Sequence, residues 1–232
     1  MTDRTVGACA KRSYRIVVFG DSISFGQGVS LHKGWVPRIS AHIELLAQHT
    51  GLDLVVVNAS VNGSTTRQAL ERMPYEVQSQ GPDIVLVQFG MNDCNYWQTD
   101  HGLPRVSRAA FRANLEEIID RAFRFGARQV LLNTNHPTGR DLEKLPFCEI
   151  SYQQSNRSYN QIIRAVGSAG DARICFTDIE KIFEAETKGD RRRLEALLLP
   201  DLLHPSAAGH DVYFAALRPA VEEAVASLSG VS

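Results

Sequence analysis

The stretch Tyr14-Arg15-Ile16-Val17-Val18-Phe19-Gly20-Asp21-Ser22-Ile23-Ser24 carries the most structural information in this 232-residue chain. Ile16 to Phe19 is a continuous apolar run, with three β-branched residues and no polar residue alternating through it. A strand half open to water alternates, and one covered on both faces does not. The run predicts an inner strand of a parallel sheet. It stops at Gly20, and small polar residues follow at once. Ligands of open α/β sheets sit outside the carboxyl ends of the strands. Asp21 and Ser22 therefore stand where chemistry is expected.

Four more runs of the same kind follow: Leu54–Val57, Ile84–Val87, Val130–Leu132 and Ile174–Phe176. Helical periodicity lies between them. Val36, Ile39, Ile43 and Leu46 share a face from Trp35 to His49, and Gly51 is a stop. The pattern over residues 67–80 is weaker, and Pro74 should start or kink a helix there. Phe111, Leu115, Ile118, Ala122 and Phe125 recur at steps of three and four, with Ser107 placed to cap and Gly126 to end the helix. Tyr159, Ile162, Ile163 and Val166 mark another helix. Residues 180–199 read as short helices, and 206–228 as a final helix capped by Ser206 and bent at Pro219. Alternating strands and helices imply a three-layer α/β domain with a five-stranded parallel sheet. Residues 1–13 read as a short flexible tail, and residues 14–232 as one domain.

Composition narrows the function. Twenty-five Lys and Arg balance 26 Asp and Glu, a net charge of −1. That balance argues against a nucleic-acid partner and against a polybasic membrane anchor. No apolar run reaches the roughly 18–20 residues needed to span a bilayer, and the N-terminus has no signal-type apolar core. The four cysteines, Cys9, Cys94, Cys148 and Cys175, form no CxxC or zinc-type spacing. Cys175 reads as a buried small hydrophobe. A cytoplasmic protein with free thiols is the expectation.

The segments after the strands suit acyl transfer. They include Gly20-Asp21-Ser22, Asn62-Gly63-Ser64, Gly90-Met91-Asn92-Asp93 and, before the last helix, Asp201-Leu202-Leu203-His204-Pro205. A serine hydroxyl needs a base to take its proton, and a neutral imidazole suits that task. A carboxylate must fix the imidazole's tautomer. Donors must meet the oxyanion of the tetrahedral intermediate. Ser22, His204 and Asp201 can supply the first three parts. The N–H groups of Ser22 and Gly63 and the Asn92 amide can supply the donors. Asp21 can cap the turn after the first strand or face the substrate, and Asp93 suits a local hydrogen bond.

These four blocks, in this order and across nearly the whole chain, resemble the SGNH (GDSL-type) hydrolase family. The resemblance implies a flavodoxin-like α/β/α fold and a metal-independent esterase mechanism without a cofactor. By motif position it implies Ser22 as nucleophile, Gly63 and Asn92 as oxyanion donors, His204 as base and Asp201 as triad acid. One departure stands out: Leu202 occupies a position where the family commonly has glycine.

Rival motifs are incomplete. Gly20-Asp21-Ser22-Ile23-Ser24 lacks the last glycine of G-x-S-x-G, and no P-loop or H-E-x-x-H occurs. His210 and Asp211 do not complete a metal-ligand set, and Arg191-Arg192-Arg193 reads as a solvated helix face. Long connections after the third and fourth strands hold Tyr96, Trp97 and His136. Such loops often carry recognition. Tyr96 and Trp97 could stack on a sugar or cap the core, and His136 could line the cleft. A short acyl ester, such as acetyl on a carbohydrate or other small polar molecule, is the expected substrate. A thioesterase, a lipase or lysophospholipase, an acyltransferase and a non-catalytic binding module are the alternatives.

Overall fold

Ile16, Val17, Val18 and Phe19 lose all contact with solvent in a computed structural model that describes residues 12–229. They form the middle of β1 (Ser13–Gly20). The other strands are β2 (Asp53–Asn58), β3 (Ile84–Gln88), β4 (Gln129–Asn133) and β5 (Ile174–Thr177). All four pairings are parallel, in the spatial order β2-β1-β3-β4-β5. The order reverses between β1 and β3, and such a switch point opens a crevice at the carboxyl ends. Ile16 pairs with Ile84 and Gly20 with Gln88, so the two strands end level at that crevice.

The helices are α1 (Ser22–Phe25), α2 (Trp35–Thr50), α3 (Thr66–Glu76), α4 (Arg108–Arg124), α5 (Tyr152–Gly167), α6 (Ile179–Thr187), α7 (Arg191–Ala196) and α8 (Ala207–Ser229). Helix α8 packs against α2 and α6, while α4 packs between α3 and α5. These two helical layers enclose the sheet and give the three-layer architecture. Side-chain caps fix where several helices begin. Ser107 accepts from the Ala110 N–H, and Thr65 and Ser151 form reciprocal capping boxes with Gln68 and Gln154. Ser206 accepts from the Gly209 N–H at the start of α8.

Three expectations need correction. The first strand opens at Ser13, one residue inside the expected tail, and Arg12 pairs with Asp83 at 2.7 Å. The rest of that tail, residues 1–11, lies outside the described residues. The edge strands are covered less than the inner ones. Val55 in β2 is 40% exposed, and Cys175 in β5 is half-buried, because each edge strand has a neighbour on one side only. Phe125 falls past the last turn of α4 and stands exposed. Pro74 and Pro219 each lie within a helix, α3 and α8 respectively. Proline forfeits one helical hydrogen bond. Across Pro219, α8 buries Leu217, Val221, Ala224, Val225 and Leu228, and that burial outweighs the local loss.

Beneath the carboxyl ends of β3 and β4 lies a layer of buried amides. The Gln88 amide donates to Asn135 Oδ1 at 2.5 Å, and Asn135 Nδ2 donates to the Phe89 carbonyl at 3.2 Å. The Asn160 amide both donates to the Asn135 carbonyl and accepts from its N–H. Buried hydrogen bonds of this kind restrain the backbone around them.

Candidate active site

Ser22 is the first residue of α1, directly beyond the end of β1. Asp21 precedes it in an extended conformation, and its side chain accepts from the Ile23 N–H at 3.0 Å. Gly20 is required by space: a Cβ there would stand 2.9 Å from the Gln88 carbonyl oxygen and 2.4 Å from Ser24 Oγ. Trp35 Nε1 donates to the Ile23 carbonyl at 3.1 Å and ties α1 to α2. The turn thus holds the Ser22 hydroxyl on a fully packed base.

The loop before α8 brings the other two groups. Ser22 Oγ lies 2.9 Å from His204 Nε2, and His204 Nδ1 lies 2.6 Å from Asp201 Oδ2. Asp201 Oδ1 also accepts from the N–H groups of Leu203 at 2.9 Å and His204 at 3.0 Å. Burial opposes ionisation of Asp201. The bond from His204 and the two backbone N–H bonds outweigh it and hold the carboxyl below its ordinary range. An ionised Asp201 can only accept, so His204 carries its proton on Nδ1 and leaves Nε2 free to accept from Ser22.

Leu202 makes the turn in this loop with a φ of 58°. That left-handed conformation explains why glycine suits the position, and it costs a branched side chain roughly 1 kcal/mol. Contacts across the loop hold it. The Leu202 side chain packs over Gly139, and the Gly139 N–H donates to the Leu202 carbonyl at 2.9 Å.

Gly63 lies in the loop after β2 at a φ of 76°, and a Cβ there would meet nothing within 4 Å. Its backbone is therefore open to an approaching ligand. Half-buried Asn92 follows β3. Its Nδ2 donates to Asp21 Oδ2 at 3.3 Å. Asp93 accepts from the N–H of Thr66 at 2.9 Å and from its hydroxyl at 2.5 Å, a local structural role.

Two of the proposed recognition residues are withdrawn from the substrate. His136 is fully buried. Its Nε2–H donates to the Leu203 carbonyl at 2.8 Å and its Nδ1 accepts from the Tyr213 hydroxyl at 2.8 Å, so it braces the His204 loop from behind. Asp21 is likewise fully buried and holds Ile23 and Asn92. Tyr96 is half-buried and packs on the core. Trp97 alone of the four stays 51% exposed. It borders a hollow of about 280 Å³ with Thr65, Arg67, Gln68, Asp100 and Arg105.

Two arginines escaped the sequence reading. Arg72 donates to the carbonyls of Gly20 at 2.9 Å and Ala59 at 2.6 Å, joining the loops after β1 and β2. Arg105 reaches Gly63 and Asn92. Neither sits in a spacing that marks it, since a lone arginine in a helix or loop reads as surface. His210 is engaged with the Trp35 N–H at 3.4 Å, and Asp211 pairs with Arg38. Among the described residues no group of three or more His, Cys, Asp or Glu side chains could hold a metal ion.

Buried charge beside the site gives a pH signature. Burial pushes the Asp21 carboxyl up; the Ile23 N–H opposes this and nearby Asp93 adds to it, for a value of about 7. The folded protein therefore binds a proton at Asp21 that the unfolded chain has released above about 3.8. Stability from this group is present at low pH and is lost as pH rises through that window. Asp21→Asn should gain stability relative to the parent as pH rises from 3.8 toward 7. Urea denaturation at several pH values checks this; a pH-independent difference would contradict it. The absolute curve is expected to be flatter than the difference. Burial lowers His136 to about 3 and His210 to about 4, and each removes stability as pH falls below 6.5.

A hydroxyl, an imidazole and a carboxylate stand in series at the switch point of a parallel sheet, the arrangement that nucleophilic acyl transfer by a serine requires. A model of the GDSL-like lipase/acylhydrolase family matches residues 18–212, and the chain belongs to that family. An arylesterase of Vibrio mimicus is 30% identical over 132 residues, which cover 57% of this chain and 60% of that protein. Among solved structures, a lipase/acylhydrolase from Enterococcus faecalis superposes with a TM-score of 0.67 at 26% identity, covering 90% of this chain and 96% of the other. A variant of an acetyl xylan esterase from Geobacillus stearothermophilus shares the fold, with a TM-score of 0.70 at 21% identity and coverage of 90% and 94%. Among the described residues no helix is long and apolar enough to cross a membrane.

Proposed function

We propose that the chain is a serine esterase that cleaves short-chain acyl esters, acetyl foremost, of a carbohydrate or other small polar molecule. The observation that carries this reading is the series Asp201 Oδ2, His204 Nδ1, His204 Nε2 and Ser22 Oγ, joined at 2.6 and 2.9 Å. Ser22 Oγ attacks the ester carbonyl as His204 takes its proton. The oxyanion faces the Ser22 N–H, the Gly63 N–H and the second N–H of the Asn92 amide. The C–O bond to the alcohol breaks, and the alcohol leaves with the proton from His204. Water then attacks the acyl-enzyme by the same route and frees the acid. Asp201 holds His204 in one tautomer throughout and keeps its negative charge. The scheme uses no metal or cofactor.

The polar lining of the hollow beside Trp97 supports a small polar substrate, and the acetyl xylan esterase of like fold offers a precedent. One observation favours a longer acyl chain, as in a thioesterase or lysophospholipase. Leu103, Leu142 and Phe147 stand exposed on the connections after β3 and β4. A series of p-nitrophenyl esters separates the two readings. The expected result is a higher kcat/KM for acetate than for octanoate; the reverse order would overturn the short-chain reading. Labelling by a fluorophosphonate, lost in Ser22→Ala, tests the nucleophile itself.

A further inference from the structure

We propose that Arg105 is a positioning residue that holds the two oxyanion-binding residues in register, which rests on the roles proposed above for Gly63 and Asn92. Arg105 lies in the connection between β3 and α4. One nitrogen, Nη1, donates both to the Gly63 carbonyl at 3.1 Å and to Asn92 Oδ1 at 3.3 Å. It thereby joins the loop after β2 to the loop after β3. The guanidinium is itself fixed. Its carbon sits 4.2 Å from the centroid of the Trp97 ring, and the Arg105 backbone N–H, which anchors the residue, donates to the Asn95 carbonyl at 2.9 Å.

The consequence for Asn92 follows from donor and acceptor chemistry. A guanidinium only donates, so it is the oxygen of the Asn92 amide that must face it. Asn92 Oδ1 faces Arg105, and Nδ2 faces Asp21. Flipping the amide would set its NH2 against the guanidinium, donor against donor. The unflipped amide spends one N–H on Asp21 and keeps the other for substrate. At Gly63 the effect is different in kind. Glycine at a φ of 76° has wide backbone freedom, and a bond to its carbonyl restrains it. Donors that need no reorganisation as charge develops are what an oxyanion site requires. The cation also adds positive potential on the side where negative charge appears.

The test compares Arg105→Ala, Asn92→Ala and the double variant on p-nitrophenyl acetate, with thermal melting as a control. Asn92→Ala should lower kcat roughly 10²–10³-fold, the cost of one oxyanion donor. Arg105→Ala should lower kcat on the order of 10–100-fold with KM changed less than about threefold, the mark of an interaction made in the transition state. Added to Asn92→Ala, the Arg105 substitution should cost several-fold less than it does alone, because residues acting through one another are not additive. Millimolar guanidinium chloride should restore part of the activity of Arg105→Ala, and sodium chloride should not. Arg105→Gln, read by the same measurements, replaces the alanine variant if that protein loses cooperative melting. A kcat near wild type for the Arg105 variants, or full additivity without rescue, overturns the proposal while Asn92→Ala still shows its loss. If Asn92→Ala is itself without effect, the oxyanion assignment is what fails.

Discussion

Ser22→Ala should lower kcat by about 10⁶, and His204→Ala should do the same, with the double variant no worse than either. The near-identity of these losses follows from the geometry. The hydroxyl is a weak nucleophile until a base accepts its proton, and the one imidazole nitrogen at 2.9 Å from Oγ is His204 Nε2. Removing either partner removes the same step. The other buried imidazole nearby, His136, is already committed to Leu203 and Tyr213 and cannot substitute. A remnant of roughly 10³–10⁴ over water should persist, because oxyanion donors and substrate binding survive the substitution. Steady-state kinetics on p-nitrophenyl acetate reads all three variants. Near-normal turnover by Ser22→Ala would remove the proposed mechanism.

Asp201→Asn should cost on the order of 10⁴ in kcat while leaving the fold intact. Oδ1 of Asp201 accepts two backbone N–H bonds, so an asparagine must keep its carbonyl oxygen there. Its NH2 then faces His204 Nδ1, which can meet it only as an acceptor. The imidazole proton moves to Nε2, and Ser22 faces a donor in place of a base. The substitution thus reverses the tautomer without moving a heavy atom. Unchanged melting together with the loss of turnover is the expected pair of results. A loss below about tenfold would show that His204 does not depend on Asp201 for its tautomer.

Much of this was legible in the sequence, for reasons that differ by residue. Ile16–Phe19 and Gly20-Asp21-Ser22 are local signals: a buried strand and the turn that ends it are written in adjacent residues. The same holds for Ser107 and the apolar face of α4, and for Asp201 and His204, whose contact spans three positions. What sequence left obscure depends on distant partners. His136 follows a strand as a cleft residue would, but Tyr213, 77 positions away, draws it inward. Arg105 becomes meaningful only because Gly63 and Asn92 converge on it from two loops. Inner and edge strands read alike until the strand order is known, which is why Val55 was expected to be covered.

Ser22 and His204 meet across a sequence separation of 182 residues. A growing polypeptide that has formed its sheet but not yet docked α8 displays the hydroxyl with no imidazole beside it. Under the proposed chemistry such an intermediate is inert toward esters. Recovery of hydrolysis on refolding therefore reports the closing of a loop of 182 residues, a step that carries a loop-closure entropy cost.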